Sequence, residues 1–184
     1  MKIGIYGGSF NPPHLGHLAA AESAARYLEI DRLMLIPAGI PPHKQLSADA
    51  PAPVHRLAMT RLMGAQIELD TLIPVEVSDM ELTREGKSYT SDTLRLLHER
   101  YPNAELWLLM GTDMFLTFHL WHAPEEIVRH AGLCAFGRTE RDGEEVFAPQ
   151  RAFLGEKFPG CRIVTMTLPN LVEISSTELR AGMV

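Results

Sequence analysis

Short apolar runs recur along the chain and are separated by longer segments in which apolar and polar residues mix. Each run is four or five residues long, and several are rich in β-branched or long aliphatic side chains and bounded by Gly or Pro. Runs of this kind are typical of buried strands. The predicted strands cover residues 2–6, 33–36, 74–77, 106–109, 133–136 and 163–166.

The segments between these runs carry apolar residues at spacings of three, four and seven, the period of one helix face. Two such faces are formed by Leu18, Ala21, Ala25 and Leu28 and by Leu94, Leu97, His98 and Tyr101. Because alternating strands and helices connect through right-handed βαβ crossovers, the pattern predicts an α/β fold with a mostly parallel sheet and helices on both faces. Ligands of such sheets bind beyond the carboxyl ends of the strands.

The composition fits one globular domain that spans residues 1–184. The chain is 46% hydrophobic and 22% charged, and its 184 residues are enough to bury a core. A net charge of -6 argues against tight binding to nucleic acid or to an anionic membrane. The start of the chain lacks a long apolar segment, and no stretch approaches the length of a membrane-spanning helix. We therefore expect small-molecule partners and a cytoplasmic location.

The sequence GGSFNPPHLGH at residues 7–17 combines glycines, prolines and histidines in a way that no core or ordinary turn requires. Gly7 and Gly8 follow the first predicted strand, and we expect them to turn sharply and to expose backbone N–H groups, because glycine has no Cβ. A helix that begins near His14 would point its positive end at the same space. His14 and His17 can share one face of its first turn and add two imidazole donors. The stretch therefore predicts an anion site.

Other interpretations of these glycines and histidines fit less well, although a turn with incidental histidines stays open as the structural alternative. A metal site would need a third and a fourth ligand at a recognisable spacing. A dinucleotide-binding fold would need G-x-G-x-x-G and an acidic residue after the second strand. Gly86, Lys87 and Ser88 look like the end of a P-loop, but Glu81 stands where its leading glycine belongs.

Near the other end of the chain, ISSTELR at residues 174–180 places three hydroxyl side chains ahead of Arg180. Ser175 and Glu178 have the spacing of a capping box, so helix initiation is the structural alternative here. Hydroxyls, backbone N–H groups and a guanidinium one turn later would also form a phosphate cradle. Two anion sites at opposite ends of one domain suit a polyphosphate, provided that the two ends fold together.

The two motifs resemble those of the nucleotidyltransferase superfamily that carries HxGH and ISSTxxR signatures. Further stretches are similar to its bacterial nicotinate mononucleotide adenylyltransferase branch, and in order they cover nearly the whole chain: PPHK at 41–44, SYTSDTL at 88–94 and GTDMFLTFHLWH at 111–122. Two departures stand out. Asn11 occupies a position where that branch more often has Asp, and the chain ends four residues after Arg180, where relatives usually continue into a further helix.

The resemblance implies a Rossmann-like nucleotidyltransferase fold and transfer of AMP from ATP to nicotinate mononucleotide, a step of NAD biosynthesis that yields nicotinate adenine dinucleotide and pyrophosphate. Direct in-line attack by an ionised phosphate oxygen needs no protein nucleophile, so positioning and charge stabilisation supply the catalysis. Mg²⁺ would be held mainly by substrate phosphates. ATP and the mononucleotide are the implied partners, and a homo-oligomer is left open.

The residue roles that the resemblance implies fall into three groups. The catalytic group consists of His14, His17, Lys44 and Arg180. The residues expected to contact ATP are Gly7, Gly8, Ser9, Phe10, His17, Gly111, Asp113, Ser175, Ser176, Thr177 and Arg180. The residues expected to contact the mononucleotide are Lys44, Thr90, Trp121, His122 and Arg138.

Three of these residues also have an ordinary structural interpretation. Asp113 follows a predicted strand and could cap the next helix instead of accepting hydrogen bonds from ribose hydroxyls. Trp121 could belong to the core instead of stacking on a pyridine ring. Lys44 could simply be solvated within the long Pro-rich loop predicted for residues 39–54.

Three alternative functions are open at this stage. Pantetheine phosphate adenylyltransferase shares both phosphate motifs but not the SYT and LWH stretches. A non-catalytic nucleotide-binding regulator would bind ATP without releasing pyrophosphate. A fragment of a class I aminoacyl-tRNA synthetase shares HxGH-type chemistry, but the acidic charge and the short chain do not suit a tRNA partner.

Overall fold

All six predicted strands are confirmed and form one parallel sheet. A computed structural model describes residues 1–42, 46, 50–137, 139, 141–168 and 174–182. The strands are β1 (Lys2–Gly8), β2 (Arg32–Pro37), β3 (Val75–Val77), β4 (Glu105–Gly111), β5 (Ala131–Gly137) and β6 (Ile163–Thr167). Their order in the sheet is β3-β2-β1-β4-β5-β6, and every neighbouring pair is parallel.

Helices connect these strands. The α-helices of the described residues are α1 (Leu15–Tyr27), α2 (Pro53–Thr71), α3 (Thr90–Arg100), α4 (Thr112–Leu116), α5 (Pro124–His130), α6 (Glu144–Lys157) and α7 (Ser176–Arg180). In the part of the chain that the structure describes, none of them combines the length and the apolar character needed to cross a lipid bilayer. The extent of the domain, residues 1–184, stays a prediction.

The sheet is buried on both faces, as its continuous apolar strands predict. Along β2, Leu33 and Leu35 belong to one core and Met34 and Ile36 to the other, because successive side chains of a strand point to opposite faces. Buried residues of α1 and α2 complete the first core, and buried residues of α3, α5 and α6 complete the second. The expected arrangement of helices on both faces is therefore confirmed.

Helix α1 packs on the sheet through small side chains. Its buried residues are all alanines, Ala20, Ala21, Ala24 and Ala25. The face predicted from Leu18, Ala21, Ala25 and Leu28 is confirmed for its alanines, whereas Leu18 is half-buried and Leu28 lies just past the end of the helix. Alanines let the helix approach the sheet closely, and this fixes where its first turn lies above β1.

The strand order reverses direction between β1 and β4, and the space beyond the ends of these two strands is called the crevice below. These strands are neighbours, but the helices that follow them lie on opposite faces, since Ala20 of α1 and Phe115 of α4 belong to different cores. The space beyond the carboxyl ends of the strands at such a switch point is where ligands of open α/β sheets bind. Gly8 ends β1 and Gly111 ends β4, so two predicted ATP-binding segments begin there.

Candidate active site

The loop after β1 turns at Phe10 and not at the preceding glycines. Gly7 and Gly8 stay in the strand, whereas Phe10 has a φ of 42°. The Phe10 ring is fully buried and packs edge-on against Tyr6, with 5.6 Å between ring centroids. A Cβ on Gly8 would lie 3.3 Å from that ring, so this glycine makes room for it. The predicted sharp glycine turn was therefore wrong, and the anchored Phe10 ring sets the turn instead.

The two histidines of the first motif form the cap of α1. Nδ1 of His14 accepts a hydrogen bond of 3.1 Å from the N–H of Gly16, and Nδ1 of His17 accepts one of 3.2 Å from the N–H of His14. The ring centroids are 3.8 Å apart, which confirms that both side chains share one face of the first turn. A neutral imidazole whose Nδ1 accepts carries its proton on Nε2. Both rings therefore present Nε2–H donors at the positive end of α1.

The opposite ends of the chain meet at this loop. The Ser176 hydroxyl donates a hydrogen bond of 2.7 Å to the carbonyl oxygen of Pro12. The Arg180 guanidinium donates to the carbonyl oxygen of Asn11. The first and second predicted phosphate motifs are thus parts of one site, as a shared polyphosphate requires.

The remaining polar groups of the second motif hold the short helix α7 together. Ser175 and Glu178 form the predicted capping box, in which the Ser175 hydroxyl accepts from the N–H of Glu178 at 3.2 Å and Glu178 Oε2 accepts from the N–H of Ser175 at 2.8 Å. Hydrogen bonds from Ser175, and to a lesser degree the nearby His14, lower the pKa of Glu178. Arg180 Nη2 donates to the Thr177 hydroxyl at 3.4 Å. The phosphate roles of Ser175 and Thr177 stay predictions.

The segment after β4 begins beside the same crevice. Gly111 is the N-cap residue of α4 and has no capping side chain. Asp113 lies exposed in the first turn, so the alternative in which its carboxylate caps the helix does not apply. Its predicted hydrogen bonds to ribose hydroxyls stay a prediction.

Two segments predicted for the mononucleotide lie side by side. The ring of Tyr89, the residue before Thr90, stacks on the His122 ring with centroids 4.1 Å apart and an interplanar angle of 30°. Trp121 is half-buried and packs against the core, 5.4 Å from the Phe118 ring. Thr90 begins α3, so its N–H lies at a positive helix end. The SYT and LWH stretches therefore form one surface, whereas stacking of Trp121 on a ligand stays a prediction.

Two predicted mononucleotide contacts, Lys44 and Arg138, lie outside the described residues. The Pro-rich loop predicted for residues 39–54 is described only in part, and α2 begins at Pro53. The start of this loop is tied to the SYT segment, because Ile40 pairs with Lys87 and its carbonyl oxygen accepts from the N–H of Ser88 at 2.8 Å.

Glu81, Thr93 and Arg84 form a polar group next to this surface that the sequence analysis missed, in which Glu81 and Thr93 are buried and Arg84 is half-buried. The Thr93 hydroxyl donates to Glu81 Oε1 at 2.7 Å, and Arg84 Nη1 donates to the Thr93 oxygen at 3.2 Å. Burial raises the pKa of Glu81 to about 7, although Thr93 and Arg84 act in the opposite direction. A Cβ on Gly39 would lie 2.3 Å from the Glu81 carbonyl oxygen, so only glycine fits at that point of the loop.

Arg56 of α2 is a second residue that the sequence analysis missed. Its side chain is fully buried, and its Nη1 donates to the carbonyl oxygens of Ser9 and Ala38 at 2.7 and 2.8 Å. Burial lowers its pKa. A signal was present, because Arg56 falls on the helix face that buries Thr60, Met63 and Ile67.

The donors around the first loop suit phosphate better than a metal ion. They are backbone N–H groups, imidazoles, a hydroxyl and a guanidinium, none of which is a hard anionic oxygen. Among the described residues, no three His, Cys, Asp or Glu side chains are grouped so that they could hold a metal.

Comparisons with known proteins agree on one family. A family model described as Cytidylyltransferase-like matches residues 5–182. A probable nicotinate-nucleotide adenylyltransferase of Exiguobacterium sibiricum is 36% identical over 180 residues, which cover 98% of this chain and 85% of that protein. A protein with the same description from Neisseria meningitidis serogroup C is 34% identical over 185 residues, which cover 99% of this chain and 87% of that protein.

Solved structures show the same fold. Nicotinic acid mononucleotide adenylyltransferase of Plasmodium falciparum, complexed with APC, matches with a TM-score of 0.73 at 21% identity, over 98% of this chain and 82% of that chain. The same enzyme complexed with NaAD matches with a TM-score of 0.72 at 22% identity and the same coverage. The Rossmann-like architecture expected from the sequence is therefore confirmed.

Proposed function

The chain belongs to the cytidylyltransferase-like family and, within it, to the nicotinate-nucleotide adenylyltransferases, and from this premise we propose that it transfers AMP from ATP to nicotinate mononucleotide. The products are nicotinate adenine dinucleotide and pyrophosphate. The observation that carries the proposal is the junction of the two phosphate motifs, in which Ser176 and Arg180 bind the backbone of the loop that precedes His14.

The chemistry needs two anions held side by side. An oxygen of the mononucleotide phosphate attacks the α-phosphorus of ATP, a new P–O bond forms, and the bond to the oxygen bridging the α- and β-phosphates breaks. Pyrophosphate leaves with that electron pair. The attacking oxygen is already ionised near neutral pH, so no side chain has to act as base or nucleophile. Catalysis then consists of alignment and of stabilising the charge on the transferring group.

The first loop supplies the donors for that charge. His14 and His17 would donate from Nε2 to phosphate oxygens, since each Nδ1 is already used as an acceptor within the cap. The N–H groups of Gly8, Ser9 and Phe10 and the positive end of α1 would add to the same field. These donors are fixed before ATP arrives, so they require little reorganisation during the reaction.

The second motif would hold the far end of the triphosphate. Ser176, Thr177 and Arg180 would exchange their present partners for β- and γ-phosphate oxygens, and Ser175 would contribute through the start of α7. Mg²⁺ would accompany ATP as part of the substrate, bound to its phosphate oxygens and to water. Asp113 and Gly111 would meet the adenosine half.

The acceptor surface suits a flat aromatic ring next to a phosphate. Tyr89 and His122 stack on each other, and Trp121 lies beside His122 in sequence. We assign to this surface the contacts of Thr90, Trp121 and His122 with the mononucleotide, and Lys44 and Arg138 are assigned to the same substrate from the motif match. A pantetheine chain has no ring that would use these aromatic side chains.

A comparison of acceptors tests this proposal. Pyrophosphate release is measured with ATP, Mg²⁺ and, in separate reactions, nicotinate mononucleotide, nicotinamide mononucleotide or phosphopantetheine. We expect the highest kcat/KM with nicotinate mononucleotide. Faster turnover of phosphopantetheine would identify the other adenylyltransferase. Tight ATP binding without pyrophosphate release in the presence of any of the three acceptors would identify a non-catalytic regulator.

A further inference from the structure

Arg56 is a buried cation that forms no ion pair with any residue in the described ranges. Its side chain has no exposed surface, and in the part of the chain that the structure describes its Nε and Nη2 have no hydrogen-bond partner. A charge buried in this way destabilises a fold, and an apolar side chain of similar size is often more stable in its place. Packing therefore gives no reason for an arginine at this position.

The two groups that Arg56 binds belong to two different loops. Its Nη1 donates to the carbonyl oxygen of Ser9, in the loop after β1, and to that of Ala38, where β2 runs into the Pro-rich loop. These loops follow neighbouring parallel strands, which pair up to Gly8 and Pro37. One guanidinium thus ties together the starts of the loops that follow β1 and β2.

Binding a carbonyl oxygen also orients the N–H of the same peptide unit. In a planar trans peptide the C=O and the following N–H point in opposite directions. At Ala38 this is visible, because Arg56 binds its carbonyl oxygen while the N–H of Gly39 donates to the Ser88 hydroxyl at 3.1 Å. At Ser9, the hydrogen bond from Arg56 to the carbonyl oxygen likewise directs the N–H of Phe10 to the side opposite the guanidinium.

We propose that Arg56 is a positioning residue that sets the spacing between the ATP phosphates and the acceptor. The bonds run from Ser9 through Arg56 to Ala38, and from Gly39 to Ser88, two residues before Thr90. The first end of this path lies in the phosphate loop and the last in the acceptor surface. The inference rests on the proposed function, because spacing matters most when two bound substrates must react with each other.

The replacement Arg56→Lys separates positioning from charge. Lysine keeps the positive charge, but its side chain is shorter, so its ammonium does not reach the position from which Nη1 of Arg56 donates to both carbonyl oxygens. We expect kcat to fall about tenfold or more while the KM for ATP changes less than about threefold, because alignment and not binding is lost. Arg61→Lys is the matched control, since Arg61 is exposed on the same helix, and it leaves both constants unchanged.

A purely structural role predicts a different result. In that case Arg56→Lys lowers the melting temperature, and the folded fraction retains the wild-type kcat, which overturns the proposal. If Arg56→Lys does not fold, Ser88→Ala decides, because it removes the acceptor at the far end of the path. A fall in kcat of about threefold or more with an unchanged KM for ATP then supports the proposal, and a wild-type kcat overturns it.

The same assay separates this inference from the proposed function. If the wild-type protein releases no pyrophosphate with any acceptor, the proposed function is wrong and the inference is overturned with it. If the wild-type protein and Arg56→Lys release pyrophosphate with the same kcat, only the inference is wrong.

Discussion

The Ser176 hydroxyl donates a hydrogen bond of 2.7 Å to the carbonyl oxygen of Pro12, across a separation of 164 residues in the chain. Arg180 makes a parallel contact with Asn11. Because these partners are backbone atoms of the loop that leads into α1, the two contacts fix the position of α7 relative to His14 and His17. Under the proposed function, the joined pair would offer donors to a triphosphate from two sides, which neither motif would do alone.

Removing the Ser176 hydroxyl should weaken ATP binding. Ser176→Ala loses both the bond to Pro12 and a donor for a phosphate oxygen, so we expect the KM for ATP to rise about fivefold, the equivalent of about 1 kcal/mol. Ser23→Ala, the same change in α1 outside the two loops, is the control. An unchanged KM for ATP in Ser176→Ala would contradict the role assigned to this hydroxyl.

His17 should contribute mainly to the rate of the chemical step. His17→Ala removes a preorganised Nε2 donor, and we expect kcat to fall about 100-fold with the fold intact, as happens when one such donor is lost. His55→Ala changes an exposed histidine of α2 and should leave kcat at the wild-type value. Circular dichroism checks the fold, and near-normal pyrophosphate release by His17→Ala would rule out the assigned role.

Two variants of Trp121 distinguish a stacking role of its indole from a role in the core. If the indole stacks on the pyridine ring, Trp121→Ala raises the KM for the mononucleotide about tenfold. Trp121→Phe retains most of the wild-type affinity, because both indole and phenyl rings offer an aromatic face. The KM for ATP should not change in either variant. A Trp121→Ala protein that melts at a lower temperature but keeps the wild-type KM for the mononucleotide would show that the indole packs in the core and does not bind the mononucleotide.

Glu81 should make stability depend on pH. Its pKa is raised by burial from 4.5 to about 7 in the folded protein, so its contribution to stability is complete below about pH 4.5 and is lost as the pH rises through 7. The loss amounts to about 3 kcal/mol. Glu81→Gln stays neutral and can still accept the hydrogen bond from Thr93, so the variant should be more stable than the wild type at about pH 8 and similar to it at about pH 4.5.

Urea unfolding at the two pH values measures this difference. Glu85→Gln, at an exposed position of the same segment, is the matched control and should follow the wild-type pH dependence. Parallel stability curves for Glu81→Gln and the wild type would mean that the Glu81 carboxyl has an ordinary pKa.

The fold was accessible from the sequence because its signals are local. Six apolar runs match the six strands, and the signal is clearest for the four central strands β1, β2, β4 and β5, because a strand buried on both faces is apolar along most of its length. The capping spacing of Ser175 and Glu178 likewise predicted where α7 begins. Each of these features depends on residues that are close together in the chain.

The parts that were missed depend on long-range packing. The turn at Phe10 is set by the ring of Tyr6 and by the space that Gly8 leaves, and the glycines themselves stay extended. The helix spacing of Arg56 indicates that it is buried, but its role is recognisable only from its bonds to the carbonyl oxygens of Ser9 and Ala38. Sequence spacing does not reveal which distant backbone groups an arginine will reach.

The most direct test of the joined site is an NMR titration in which the backbone amide signals are followed. A non-hydrolysable ATP analogue with Mg²⁺ is added to ¹⁵N-labelled protein, and the shifts of residues 8–17 and 174–180 are fitted separately. One polyphosphate held by both motifs predicts shifts in both segments with the same dissociation constant. Shifts confined to one segment, or two different dissociation constants, would contradict the account.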